Sequence, residues 1–384
     1  MTEKSGAVYK PQSRSISEKT SILLYTQAGG RCEFDGCNKY LLEHYPTETV
    51  GNFGARAHIY AFKQAGPRGN ESGRPSDINH LSNLMLLCPA CHTLVDDYPE
   101  RYPVSVLKKF KKDHEDRIYD LTGIAKDRDT VPLVLKGLVA GRPVDISLEE
   151  MQSAVAPNYL KRRQLVEIDL TSFTDQPKPY YWEACKTKID QEIPRIYNAN
   201  LRSGCAIKVS VFAIAPIPLL IYLGSKLSDK VEVNLYQRHR DTETWIWNGG
   251  KGSAEYDTQL LKEGKDSSLV SLLINLSGRN PVDSLPAHVS DGTMYELTLS
   301  NQNCSPLFLN TQEDLDRFVV KFNQTLAGIR QAHPSLVCLN LFPAVPAPVA
   351  IAMGRSRLPK ADPPFKVYDY DRRANGFVFT LEVS

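Results

Sequence analysis

Residues 83–96 read NLMLLCPACHTLVD, and the N-terminal fold is decided there. An apolar run passes into a helical pattern, with Cys88 and Cys91 two residues apart at the junction. About 50 residues upstream, AGGRCEFDGC supplies a second pair, Cys32 and Cys37. Two close pairs, each at a turn, are how two knuckles bring four thiolates to one tetrahedral zinc. The other reading packs four free cysteines as small hydrophobes. A zinc ligated by four thiolates is closed and structural, so any chemistry must come from other residues. Of the eight cysteines, Cys185, Cys205, Cys304 and Cys338 are scattered, a pattern that favours metal binding over disulfides in a reducing compartment.

Working outward, residues 17–28 (SEKTSILLYTQA) have helical spacing, stopped by Gly29-Gly30. AHIYAF, residues 57–62, predicts a strand, and the turn-rich QAGPRGNESGRPSDIN after it predicts a surface loop. VSVLKKFKKDHEDRIYDL then makes an amphipathic helix, which completes a unit ending near 122. A chain of 384 residues is too long for one ordinary core and suggests two or three units. Apolar residues at 42% are enough to fill such cores and exclude global disorder. A net charge of +2 means that nucleic-acid binding would have to come from local basic patches. The N-terminus lacks an apolar signal core and no run is long enough to span a membrane, so the sequence predicts a cytoplasmic protein with no membrane partner.

Beyond 122 the pattern changes. TVPLVLKGLVAGRPVDISLEEMQSAVA predicts a hairpin around Ala140-Gly141 and a helix capped by Ser147. After it, strand-like VEIDL, IKVSVFAIA, VEVNLYQ, LVSLLINL and LVCLNLF alternate with helical DLDRFVVKFNQTLAGIRQ, the pattern of an α/β sheet. Pro216, Pro218, Gly224 and Lys230 recur 130 residues later as Pro346, Pro348, Gly354 and Lys360. Each copy predicts a strand, a Pro-x-Pro turn, a small-residue helix and a strand ending in tyrosine, Tyr236 or Tyr368. Two such halves would bring their loops to a shared groove beyond the carboxyl ends of the strands.

Within the cysteine frame lie His58, Asn83 and His92. AGGRCEFDGC, AHI, NLMLLCPACHTLVD and KDHEDRI in this order resemble zinc-stapled HNH endonucleases over roughly residues 15–120. The resemblance implies a ββα-metal domain that holds one divalent cation, magnesium or another, against the scissile phosphate of double-stranded DNA. By that resemblance His58 is the general base, Asn83 orients its imidazole, and His92 ligates the catalytic metal. Asp96, one helical turn on, is a candidate second ligand. Many members carry an acid or histidine ligand just before the base, and here that position is Ala57. Lys108, Lys109, Lys111 and Lys112 form a candidate DNA-backbone patch, while Arg68 and Glu71 read as solvated. His44, His80 and His114 read as surface residues or supports behind the site.

With VFAIAPIPLLIYLG, YQRHRDTETWIW, LFPAVPAPVAIAMGR and KVYDYD, residues from about 160 to 384 resemble the SAVED domain, itself similar to two fused CARF-type, Rossmann-like modules. The change of pattern near 122 puts the nuclease in 1–122 and the sensor in 123–384, with a linker over 123–160. The resemblance implies an effector of CBASS anti-phage systems, switched by a cyclic di- or trinucleotide and assembling into a homo-oligomer. Flat surfaces for bases and cations for phosphates are sought at the strand ends. The candidates are Ala215, Pro216 and Ile217, matched to Phe342, Pro343 and Ala344, together with Tyr236, Gln237, Arg238, Trp245, Trp247 and Arg355. Two other readings stay open: a restriction-like nuclease that recognises modified DNA, and a zinc-ribbon DNA-binding regulator whose histidines are structural.

Overall fold

The computed structural model describes residues 15–44, 46–123, 128–138, 144–173, 178–198, 208–227 and 231–384. The chain divides into two compact units, Met1–Ala125 and Lys126–Ser384.

The first unit runs α1 (Glu18–Gln27), β1 (Glu43–His44), β2 (Thr49–Val50), β3 (Ala55–His58), β4 (Leu84–Leu87), α2 (Pro89–Asp97) and α3 (Val104–Thr122). Ser17 caps α1 by accepting from the Thr20 N–H. Gly29 and Gly30 follow at φ +59° and +66°, where a side chain would be strained. β3 and β4 are antiparallel, with His58 opposite Leu84. β4 is buried throughout, as its unbroken apolar run requires. The strand expected over 57–62 therefore begins earlier and stops at His58. Ile59 and Tyr60 already turn into the long loop, their N–H groups bonded to the backbone and side-chain oxygens of Asn83.

The second unit runs β5 (Asp129–Lys136), α4 (Leu148–Val155), β6 (Tyr159–Leu160), β7 (Val166–Asp169), α5 (Lys178–Asn198), β8 (Lys208–Ile214), α6 (Ile217–Lys226), β9 (Glu232–Leu235), β10 (Tyr256–Lys262), β11 (Asp266–Asn275), β12 (Gly292–Leu299), α7 (Gln312–Ala332), β13 (Cys338–Ala344), α8 (Ala347–Ser356), β14 (Phe365–Asp371) and β15 (Gly376–Val383). Its first sheet is parallel throughout, with β5 between β8 and the β6/β7 pair and with β9 outside β8. The second has the order β10-β12-β11-β13-β14-β15, a parallel centre flanked by antiparallel edges.

β5 is thus not the limb of a hairpin. The expected turn at Ala140-Gly141, like Cys205 and Lys230 of the repeat, lies outside the described residues. Pro132 sits in the middle of this central strand, where a missing N–H would normally break a ladder. The carbonyls of Thr130 and Lys136 accept from Lys161 and Leu170, so even-numbered residues of β5 face β6 and β7. Pro132 therefore faces the interval after Leu160 and before Val166, where no partner strand runs.

The repeat explains the joining of the halves. Pro216 and Pro346 cap α6 and α8, and Pro218 and Pro348 fall in the first turn, where an N–H would lack an intrahelical acceptor. Both helices are buried from Pro218 to Gly224 and from Pro348 to Gly354. They cross backbone to backbone: a Cβ on Gly224 would lie 2.0 Å from the Ile351 oxygen, and one on Gly354 would lie 1.8 Å from that of Ile221. Valines and leucines from the inner faces of β8, β11 and β13 pack with these helices into one core. On the outer faces Phe212 stacks on Tyr236 at 4.6 Å with Trp245 edge-on, and Phe342 stacks on Tyr368 at 4.7 Å with Phe377 edge-on.

Gly354→Ala should therefore cost about 3 kcal/mol or more by overpacking. Gly328→Ala, on α7 with open space around it, should be neutral or stabilise by about 1 kcal/mol through helix propensity. Urea unfolding of the two variants checks the pair; equal midpoints would remove the crossing as the reason for the repeated glycines.

Candidate functional site

The knuckle residues converge. Cys32 follows the glycine turn after α1, Cys37 closes the next turn, and Cys88 caps α2 with its Sγ accepting from the Cys91 N–H. All four Sγ atoms lie within 4.8 Å of one another, and Cys37 and Cys88 are 4.0 Å apart. Zinc–sulfur bonds of about 2.3 Å put tetrahedral thiolates about 3.8 Å apart, so this cluster fits a metal ion of that kind. Burial pushes the Cys32 thiol up to about 12, so a cation is needed to draw it into the thiolate form.

Between two of the ligand-bearing segments sits Glu33. Its backbone N–H donates to the Leu86 carbonyl and its carboxylate accepts from the Leu86 N–H, which clips the first knuckle to β4. Burial raises this carboxyl to about 7, against the pull of Lys111 at 3.7 Å. Lys111 is itself buried and also pairs with Glu115, so it belongs to the interior and not to a DNA-facing patch. Lys109 and Lys112 are exposed but paired with Asp113 and Asp116 one turn away. Lys108 lies 5.1 Å above the Tyr60 ring. The basic cluster is a helix face largely neutralised by its own acids.

β3 presents His58 half-buried at its end, and α2 presents His92 and Asp96 at its second and third turns. The His92 Nε2 is 3.4 Å from Asp96 Oδ2, and both side chains are about two-fifths exposed, at 38% and 42%. A nitrogen and a carboxylate oxygen at this spacing, open to solvent, suit an ion such as Mg²⁺ that keeps most of its ligands as water or phosphate. Among the described residues no third histidine, cysteine or acid joins them as a cluster. Ala57 is buried, its side chain on the core side of β3.

Asp96 is held by a residue read as solvated. Arg68 is buried, adopts φ +58°, and donates to the carbonyls of Ile59 and Val95 and to Asp96 Oδ1 at 2.9 Å. An arginine can be buried when each of its three nitrogens finds an acceptor, as here. Glu71 accepts from the Val104 N–H and so caps α3. His114 is also interior, bonded to the Ala28 carbonyl. Asn83 does not hydrogen-bond the imidazole it was expected to orient. Its amide accepts from the Tyr60 N–H and donates to the carbonyls of Tyr60 and Ile78, pinning both ends of the loop. The His58 Nε2 faces Asn79 Oδ1 at 2.9 Å instead. Nothing in the sequence separated Asn79 from its turn-forming neighbours Asp77 and Ile78.

In the second unit the expected ligand residues divide. The halves register three residues from the match drawn on the sequence: Phe342 corresponds to Phe212, and Ala215 to Val345. Phe342 and Pro343 are interior, and Trp245, 1% exposed, is core against Phe212. Tyr236 lies beneath the same stack. Gln237 is buried with its amide bonded to the Arg238 carbonyl, and Arg238 pairs with Glu150 at 2.9 Å. Trp247 donates to the Leu235 carbonyl. Arg355 donates to the Val231 carbonyl and lines a groove of about 510 Å³ beside β9 and α7.

Ala215, Pro216 and Ile217 do lie just past the carboxyl end of β8, and Ala344 ends β13. There Gly137 N–H donates to Ile214, and Leu276 and Ser277 donate to Ala344, so the two halves close their central strands alike. Under the second mouth Asn275 donates to Glu296, accepts from Asn280, and Asn280 reaches the Phe342 carbonyl. The sequence signal for this network was a polar residue closing a largely apolar strand, LVSLLIN.

Two families match along the chain. An HNH endonuclease model matches residues 48–98, which hold His58, Asn83, His92 and Asp96. A model described as the SMODS-associated and fused to various effectors sensor domain, SAVED, matches residues 189–383, just over half of the chain. The chain belongs to the SAVED family. No curated protein matches it in sequence. Among solved structures, the SAVED chain is similar to the Acinetobacter baumannii Cap4 SAVED/CARF-domain containing receptor with the cyclic trinucleotide 2'3'3'-cAAA, at 15% identity and TM-score 0.46, covering 80% of this chain and 64% of that one. The Moraxella osloensis Cap4 receptor is similar at 12% identity and TM-score 0.41, over 82% and 71%. The chain thus spans slightly less than two-thirds of the length of the first of these. No described helix is long and apolar enough to cross a membrane.

If the four cysteines hold one metal ion, Cys37→Ala should lose it and lower the melting temperature. Elemental analysis with thermal unfolding reads both. A wild-type protein free of metal that melts unchanged by a chelator would leave the cysteines as packing alone.

Proposed function

We propose that this SAVED-family chain is a cyclic-oligonucleotide-activated, metal-dependent endonuclease of double-stranded DNA, acting without sequence preference in cytoplasmic CBASS anti-phage defence and ending in abortive infection. The observation that carries the reading is the joining, in one chain, of an HNH unit presenting His58 and His92 to a SAVED sensor.

In this reading zinc occupies the four thiolates and holds β4, α2 and the first knuckle in register. His58 accepts the proton of the attacking water. His92 and Asp96 hold the divalent cation, magnesium or another, which when bound supplies positive charge for the scissile phosphate and the leaving oxygen. Arg68 fixes the Asp96 carboxylate, and Asn83 keeps the loop ends together so that β3 delivers His58 to one place. Lys108, with Lys109 and Lys112 beside it, adds contacts to backbone phosphates. A cyclic di- or trinucleotide binds at the strand ends near Ala215, Pro216, Ile217 and Ala344. Its tighter binding to a homo-oligomeric state is what switches cleavage on.

Plasmid degradation measured with a panel of cyclic di- and trinucleotides tests this. One activator should give cleavage of unmodified DNA, lost on adding a chelator. His58→Ala should reduce the rate by about 10² to 10⁴-fold, the usual contribution of a general base. Equal rates with and without every activator would remove the gating, and cleavage confined to modified DNA would favour a restriction enzyme.

A further inference from the structure

We propose that Asn79 is the positioning residue of the nuclease base, and that it makes Nδ1 of His58 the atom that takes the proton from water. The inference rests on the nuclease reading of His58 and deepens it.

His58 ends β3, and its ring stands edge-on to Phe62 with centroids 5.9 Å apart. Its Nε2 faces the Asn79 side chain at 2.9 Å. The Asn79 amide has a sense, because its Nδ2 points to the Ser15 carbonyl at 3.5 Å and leaves Oδ1 toward the imidazole. An amide oxygen only accepts, so Nε2 must carry the hydrogen. In neutral imidazole the lone pair then sits on Nδ1, and only a lone pair can act as a base.

The oxygen is held in place from several directions. Asn79 N–H donates to Asp77 Oδ1 at 3.0 Å. On one side the Ile78 carbonyl accepts from the buried Asn83 amide. On the other, His80 donates to the Asp77 carbonyl and Asn83 N–H donates to that of His80. The buried Asn83 thus acts on His58 at one remove: it fixes the backbone that carries Asn79, and Asn79 fixes the ring. Lacking a negative charge, the amide oxygen sets the tautomer without forming an ion pair with the imidazolium produced when His58 takes its proton.

The test uses the full-length zinc-loaded protein labelled with ¹⁵N-histidine, its His58 ring signals identified by their loss in His58→Gln. The wild type should show the Nε2–H tautomer. Asn79→Leu should give tautomer-averaged ring nitrogens and a cleavage rate lower by about 10²-fold, the cost of losing orientation at a reacting group. Zinc content, melting temperature and KM for DNA should be kept. Asn79→Asp, which retains an acceptor oxygen, should restore the Nε2–H form and recover most of the rate. The proposal is overturned by an Nδ1–H or averaged ring in the wild type, or by an Asn79→Leu enzyme as fast as wild type. A wild type no more active than His58→Ala with any activator would instead sink the nuclease reading, and the ring spectra would still report whether Asn79 sets the tautomer.

Discussion

Four sulfur atoms within 4.8 Å of one another are the constraint on which the N-terminal unit depends. Burial raises the Cys32 and Cys91 thiols, and a dication would take all four as thiolates. Bound there, it would tie a turn after α1 to the first turn of α2, segments separated by the whole β3–loop–β4 excursion. β3 and β4 are four residues each, too short to define a site by themselves. The cysteine cluster and the Glu33 clip substitute for a larger core, so that His58 and His92 can sit near the surface and still be placed by rigid elements.

The loop between β3 and β4 shows how a polar segment is kept in one conformation with little apolar material. Arg68 and Asn83 reach inward and spend their donors on the carbonyls of Ile59, Tyr60, Ile78 and Val95. Each such bond adds little net stability, but leaving any of those buried groups unpaired costs more. The loop is therefore specified by side chains bonded to its backbone, and the residues read as chemical on sequence order alone divide into those that meet solvent and those that hold the backbone.

How much of this was legible depended on whether the signal was local. The cysteine pairs, the glycine stop after α1, the Ser147 cap and the repeated prolines are short-range patterns with one structural meaning, and the structure has them. Lys111 and Arg68 misled because charge suggests solvent, and burial with a partner is invisible until the partners are adjacent. Asn83 was recognised by its place in a motif, but its actual acceptors, Tyr60 and Ile78, lie across a loop whose path no periodicity encodes. Trp245 and Phe342 looked like stacking surfaces for a ligand because an aromatic on a strand shows its type and not its face. Aligning the halves on the prolines, at a spacing of 130, would have placed Phe342 opposite Phe212 and marked both as interior.

The reciprocal contact of Gly224 with Ile351 and of Gly354 with Ile221 has a meaning in terms of symmetry. Residue i of one half touches residue j of the other and j touches i, the relation found across the two-fold axis of a homodimer. The sensor unit thus carries a two-fold seam within one polypeptide, and that seam is core. Because α6 and α8 are each apolar around most of their circumference, neither half has a solvent-compatible surface to show if its counterpart is cut away. Swapping a half between relatives would therefore have to respect this two-fold seam, and a change on one side of it calls for the mirrored change on the other.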